Sequence, residues 1–488
     1  MKLIRFLILS AALTAFSPAA RAEDLAALFT NVTPAAARGA QRTSIIFIQC
    51  HGLGYGDLSC YGQTNFQTPN LDRLAAGGVR FTSFYAGDAG LSPAQAVLLT
   101  GRDSAHLRQR DDAEVPLAAN ETTLAQRLQQ AGYHTGLIGE WTLGAAPWTQ
   151  GFDEFAGFLN GDEGRNYYPD HLWRYAPNSL LNTNNNRMET YAGREMLYPN
   201  TDGKKGQYLP DLLMKATLNF IQNNQPDKYN RFRPFFLLVS LPAPRTATAG
   251  ADDFPVPTDA PFTGESWPQA AKNRAALITR LDTSMGQLLE KLDRPGFSNN
   301  IAVFFTSDAG PEKFADKKLN AFAPAGALRG RRGELYEGAL RVPFIVRWRE
   351  QIPAGSRNDF PAGAWDFAPT ALDIAGLKPG ADMDGISLLP ALSGRAPFQP
   401  HEIFFRWELR GRATVQAARL GEWKAVRANP GEKWELYHLK TDPGETENVA
   451  DKYPEIIKSI EGFWSDAAAP GSHRVWPAQI STNSTLLN

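Results

Sequence analysis

Five runs of apolar, β-branched and aromatic residues, at 44–49, 135–139, 234–239, 301–306 and 342–348, have the length of strands. Within them apolar and polar positions do not alternate cleanly, which is the pattern of strands buried on both faces. Between these runs, residues 124–131, 209–223 and 270–292 repeat apolar positions at helical spacing. Buried strands alternating with amphipathic helices predict an α/β fold with a large, mostly parallel sheet sandwiched by helices. Ligand sites in such sheets lie at the carboxyl ends of the strands, where His51, Glu140 and Asp308 fall.

The pattern changes near Gly394-Arg395-Ala396-Pro397, after the turn Asp384-Gly385-Ile386-Ser387. Short alternating runs at 402–407, 414–420, 423–427 and 434–439, then a helical run at 454–468, predict a small antiparallel sheet closed by a helix. The expected organisation is an α/β domain over 43–395, a C-terminal subdomain over 396–470 and a tail over 471–488. At the other end, Lys2 and Arg5 precede an apolar stretch from Phe6 to Phe16 and then Ala20-Arg21-Ala22. That order reads as an export signal over residues 1–22, so the mature protein is expected in the periplasm or secreted. No later stretch reaches the roughly twenty apolar residues of a membrane span, so no integral membrane segment is expected.

A formal net charge of -1 gives no reason to expect nucleic acid as a partner. The only cysteines are Cys50 and Cys60. They could pair, since export permits it, but two buried thiols acting as small apolar residues are the expected arrangement.

Several phrases carry a resemblance. Thr68-Pro69-Asn70-Leu71-Asp72-Arg73-Leu74, Phe81-Thr82-Ser83-Phe84-Tyr85 and Leu98-Leu99-Thr100-Gly101-Arg102 bracket a loop. Gly132-Tyr133-His134-Thr135, Gly151-Phe152-Asp153-Glu154-Phe155, Leu335-Tyr336-Glu337-Gly338 and Asp442-Pro443-Gly444-Glu445-Thr446-Glu447-Asn448 follow in order. Together, from about residue 44 to 464, they resemble the formylglycine sulfatases of the alkaline phosphatase superfamily. The resemblance implies that superfamily's α/β fold, a calcium ion as cofactor, and a loop Cys or Ser that is oxidised to formylglycine and attacks sulfur.

At the chemical positions the chain departs from that family. The loop reads Leu91-Ser92-Pro93-Ala94-Gln95, with Leu91 at the nucleophile position and Gln95 where the family has Arg. A leucine has no lone pair and cannot act as a nucleophile. The family's metal ligands, two adjacent Asp and an Asp-Asn pair, correspond to His51-Gly52 and Asp308-Ala309, so only Asp308 is retained. Calcium requires several oxygen ligands, which this set does not offer. A family Lys becomes Glu140, two His positions become Thr142 and Arg245, and a late Lys becomes Arg332. Neither calcium nor formylglycine is therefore expected.

Three other readings compete at these residues. Ser92 could be a nucleophile, although a loop serine more often serves a turn. Cys50, His51, Asp57 and Asp308 could hold zinc, against His51 as a neutral space-filling imidazole. Arg245, Arg329, Arg331 and Arg332 could bind an anion, or pair with Glu140, Glu163, Glu312 or Glu334. Because a lone buried carboxylate is costly, Glu140 is expected to pair with Arg245 or Arg332. Two functions remain. One is a catalytically inactive pseudosulfatase binding a sulfated or other anionic glycan or a protein partner. The other is an active sulfuric ester hydrolase, or other ester hydrolase, working through rearranged residues.

Overall fold

The computed structural model describes residues 42–107, 116–182, 187–225, 233–247, 253–294, 300–315, 319, 322–394, 404–410 and 414–466. The predicted export signal, the boundary at 395/396 and the tail over 471–488 lie outside these residues. Within residues 42–394 the chain builds one eleven-stranded sheet. Its strands are β1 (Ser44–Cys50), β2 (Val79–Tyr85), β3 (His134–Glu140), β4 (Glu154–Phe158), β5 (His171–Asn182), β6 (Arg187–Met196), β7 (Phe235–Leu241), β8 (Ile301–Ser307), β9 (Arg341–Trp348), β10 (Ser356–Asn358) and β11 (Ala362–Gly363). The order across it is β10-β2-β9-β8-β1-β7-β3-β4-β5-β6, with β11 also on β2.

The centre of the sheet, β8-β1-β7-β3-β4, is parallel throughout. Antiparallel pairing enters with β9 on one side and with β4-β5-β6 on the other. Strand β1 explains why its middle is apolar without alternation: Ile45 and Phe47 pack into one hydrophobic cluster, Ile46 and Ile48 into another. Successive side chains point to opposite faces, and both faces are covered by helices.

The smaller sheet comprises β12 (Phe404–Arg410), β13 (Thr414–Leu420), β14 (Trp423–Arg427) and β15 (Glu435–His438), antiparallel in that order. Its strands also face two ways. Phe405, Trp407, Ala417 and Val426 join the core of the large sheet, whereas Phe404, Ala418, Ala425 and Leu436 pack with Ile456 and Ile460 of the helix Pro454–Asp466.

One helix bears directly on the site. Leu91–Thr100 is buried at every position, its seven apolar residues being joined by Ser92, Gln95 and Thr100, whose polar groups are hydrogen-bonded, and it ends where Gly101 turns left-handed at φ 68°. Its first residue, Leu91, is thereby held beside the carboxyl ends of the central strands.

Candidate functional site

The central strands deliver the site residues. His51 follows β1, Glu140 is the last residue of β3, Ser240 lies near the end of β7, and Asp308 follows β8. Because β8, β1, β7 and β3 are neighbours, these residues converge at one edge of the sheet although they are far apart in sequence.

Glu140 is buried, at 2% exposure, and so is Arg245, at 4%. One guanidinium nitrogen, Arg245 Nη2, donates to Glu140 Oε1 at 3.0 Å and Oε2 at 3.3 Å, and to the Gly161 carbonyl at 2.6 Å. Of the two arginines expected to pair with Glu140, Arg245 does so. Arg332 instead donates to Asp308 Oδ2 at 2.9 Å, while Asp308 Oδ1 accepts the Gly52 N–H at 2.9 Å. Burial alone would raise the Glu140 carboxyl, but Arg245 and His51 outweigh it and hold the group below its usual range. Asp308 is also lowered, its burial being offset by Arg332, His51 and the Gly52 amide. Two carboxylates and two guanidiniums thus balance one another inside the pocket.

His51 lies between these pairs. Its Nδ1 is 2.8 Å from Glu140 Oε2, though poorly aligned for a hydrogen bond, and its Nε2 is 3.0 Å from Ser240 Oγ. Gln95 and Thr142 bond to each other: Gln95 Oε1 accepts from the Thr142 N–H at 2.9 Å and from its hydroxyl at 3.2 Å. Gln95 Nε2 donates to the Glu140 carbonyl at 3.0 Å. Gln95 therefore ties the helix Leu91–Thr100 to the end of β3. Ser92 donates its hydroxyl to the Thr142 carbonyl at 3.1 Å, which is a structural tie.

Two of the competing readings do not hold. Asp57 does not join Cys50, His51 and Asp308, because Arg274 holds both its oxygens, at 2.7 and 2.6 Å, and the Gly54 N–H donates to Oδ2 at 2.7 Å. Burial, with the Asp308 charge adding to it, pushes the Cys50 thiol up and keeps it protonated, so it is no thiolate ligand. Cys50 and Cys60 are both free thiols. Arg329 is likewise not part of an anion site: it lies 3.8 Å over the Tyr336 ring and donates to Tyr437 Oη and the Glu445 carbonyl, each at 3.0 Å. Arg331 donates to the Gly330 carbonyl at 2.9 Å. Of the expected acidic partners, Glu163 accepts from Trp173 at 3.1 Å, Glu312 from Thr246, and Glu334 pairs with Lys313 at 2.9 Å.

The donor set does not fit calcium. Both oxygens of Asp308 already accept from N–H donors, and His51, Gly52 and Ala309 add no carboxylate. Arg332 supplies the positive charge that balances Asp308 instead.

Sequence reasoning missed two participants, Ser240 and Gly161. Ser240 could have been noticed as a hydroxyl near the end of an apolar run. Gly161 carries no such signal, because it is brought in by the loop between β4 and β5; Arg165 of the same loop belongs to the stretch Asp162-Glu163-Gly164-Arg165, which stands where the family has a His-containing stretch. A methyl at Gly161 would lie 3.0 Å from Glu140 Oε1, 3.5 Å from Leu91 Cδ2 and 3.9 Å from Arg245 Nη1, so this backbone covers the pocket. Arg165 fastens the same loop by donating to the Thr246 carbonyl at 3.2 Å and lying 3.6 Å from Glu312.

Comparison with known proteins agrees with this architecture. The profile for Sulfatase matches residues 43–377, and that for the C-terminal part of N-sulphoglucosamine sulphohydrolase matches 331–463. Rat N-acetylgalactosamine-6-sulfatase is 31% identical over 469 residues, covering 90% of this chain and 82% of its own. Human arylsulfatase A is 29% identical over 466 residues, covering 86% and 87%. Among solved structures, Ps i-CgsB in complex with k-i-k-neocarrahexaose superposes with a TM-score of 0.71 at 24% identity, covering 89% of this chain and 95% of its own. BT4656, in complex with its substrate D-glucosamine-2-N,6-O-disulfate, gives 0.66 at 23%, covering 88% and 97%. At such identities the structural likeness speaks for the fold alone. Among the described residues no helix is long and apolar enough to cross a membrane. On the extent of the profile match and of these relatives, the chain belongs to the sulfatase family.

Proposed function

We propose that this protein is an exported, non-catalytic member of the sulfatase family, a pseudosulfatase that binds a sulfated glycan rather than cleaving one. The reading rests on Leu91 at the nucleophile position beside two carboxylates, Glu140 and Asp308, that are each paired with an arginine of the same chain. Sulfate-ester hydrolysis needs a nucleophile, an electrophile for the developing charge and a proton donor for the leaving alcohol. The pocket offers an alkyl group, internally neutralised charges and a glutamine-threonine hydrogen bond at the corresponding positions. The glycan class comes from relatives whose names and bound ligands are sulfated sugars. Because Glu140 and Asp308 occupy the pocket's arginines, the sugar would contact the outer surface; a protein partner is the other outcome of a binding screen.

The test is turnover of aryl sulfates and of N-acetylgalactosamine 6-sulfate by the purified mature protein, with and without calcium. No turnover above buffer is expected, nor in Leu91→Cys. Turnover that disappears with Asp308→Ala would overturn the reading.

One observation favours the other function. Ser240, His51 and Glu140 stand in the order of a serine hydrolase relay, hydroxyl to Nε2 and Nδ1 to carboxylate. Against it, Ser240 is fully buried and Glu140 is already engaged by Arg245. A fluorophosphonate probe that labels wild type but not Ser240→Ala would establish the hydrolase.

A further inference from the structure

We propose that Glu140 is a built-in ligand: its carboxylate fills a latent oxyanion site formed by Arg245 and His51 and closes that site to sulfate esters. This rests on the non-catalytic reading above and deepens it. A buried guanidinium requires an anion, because an unpaired charge out of water is costly. At Arg245 the anion comes from the protein, with both Glu140 oxygens within 3.3 Å of Nη2. His51 Nδ1, 2.8 Å away, borders the same carboxylate from β1. A free oxyanion would be recognised by the same guanidinium, through charge-assisted hydrogen bonds, with His51 beside it.

The covering loop sets the size of what could enter. The Gly161 carbonyl is held by Arg245 at 2.6 Å, and a Cβ at this position would meet Glu140, Leu91 and Arg245. A sugar sulfate would have to displace Glu140, whose two oxygens already lie within 3.3 Å of Arg245 Nη2. Truncating Glu140 at Cβ removes a CH2-carboxylate, so the space released matches acetate or formate. The site therefore belongs to small planar carboxylates, with tetrahedral sulfate a poorer fit.

Chemical rescue tests this. Glu140→Ala and wild type are melted in chloride, formate, acetate and sulfate at equal ionic strength. The variant is expected to melt lower than wild type in chloride and to recover most of the loss in formate or acetate, with saturation, as a ligand bound only to the folded state requires. Wild type is expected not to respond. A formate effect no larger than chloride's, or an equal one in wild type, overturns the proposal.

If Glu140→Ala is insoluble alone, the charge-free pair Glu140→Ala/Arg245→Met provides the control. Soluble yield of Glu140→Ala that rises with formate supports the site. Yield that stays at zero with formate while the double variant folds overturns it, as does a double variant that still responds to formate. The readout is stability, so it fails or succeeds independently of sulfatase turnover.

Discussion

Replacing Arg332 with methionine tests whether the pocket holds itself together by its own charges. Asp308 is 1% exposed in its side chain and Arg332 14%, with 2.9 Å between Nη1 and Oδ2. Removing one partner of a buried pair costs about 3–5 kcal/mol, because the remaining charge is left uncompensated. The Gly52 amide still reaches Asp308 Oδ1 and Arg332 is partly wetted, so the lower end, about 3 kcal/mol, is expected. At roughly 2.1 cal/mol/K of unfolding entropy per residue, a chain of 488 residues loses about 3 °C of melting temperature. Arg332→Met/Asp308→Asn should recover most of this, since the amide needs no counter-charge. Scanning calorimetry or chemical denaturation of wild type, both singles and the double gives the coupling directly. A single variant costing under about 1 kcal/mol, or a double no better than Arg332→Met, would refute the reasoning.

Two further outcomes follow from the same geometry. EDTA should leave the melting temperature of wild type unchanged, because a metal stabilises only where it binds the folded state; a fall of several degrees would expose a metal cage built from other residues. The second concerns Lys424, buried between Glu337 at 2.9 Å and Glu445 at 3.3 Å. Burial and the neighbouring Glu337 push the Glu445 carboxyl up to about 7, despite Lys424. Its contribution to stability is thus complete below its unfolded value and is lost as pH rises through about 7. Glu337 is lowered and does not titrate in that window. Glu445→Gln should flatten the decline in melting temperature between pH 5 and 8; an unchanged slope in the variant would contradict it.

The parts of the fold legible in the sequence were those whose environment is uniform. Strands β1, β3, β7, β8 and β9 are apolar because helices cover both faces, and runs at 44–49 and 301–306 differ from the observed Ser44–Cys50 and Ile301–Ser307 by one end residue. Strand β2 escaped because Arg80, Thr82 and Ser83 interrupt it, although Arg80 reaches the Cys60 carbonyl and Tyr61 bonds the Phe81 carbonyl. The hairpin of β5 and β6 was missed because it lies at the sheet's edge, where Arg174, Arg194 and Glu195 are exposed and no apolar run forms. The altered site positions were readable through the family phrases on either side of them. The contacts between them were not: Asp308 to Arg332 and His51 to Ser240 depend on which strands lie side by side, and Gly161 acts through its backbone.

The central position of β1 also has a kinetic meaning. Its two neighbours, β7 and β8, come from far along the chain, so the contacts that complete the pocket join residues 189 and 256 positions apart. Glu140 waits 105 residues for Arg245. Such long loops must close before their contacts return any stability, which makes this region late to form and slow. Until β8 is in place, His51 and Glu140 would sit beside a sheet lacking Asp308 and its arginine. A nascent or truncated chain ending before residue 300 would keep the Glu140–Arg245 pair but leave the β8 edge of β1 uncovered, and such an exposed apolar edge is prone to aggregate.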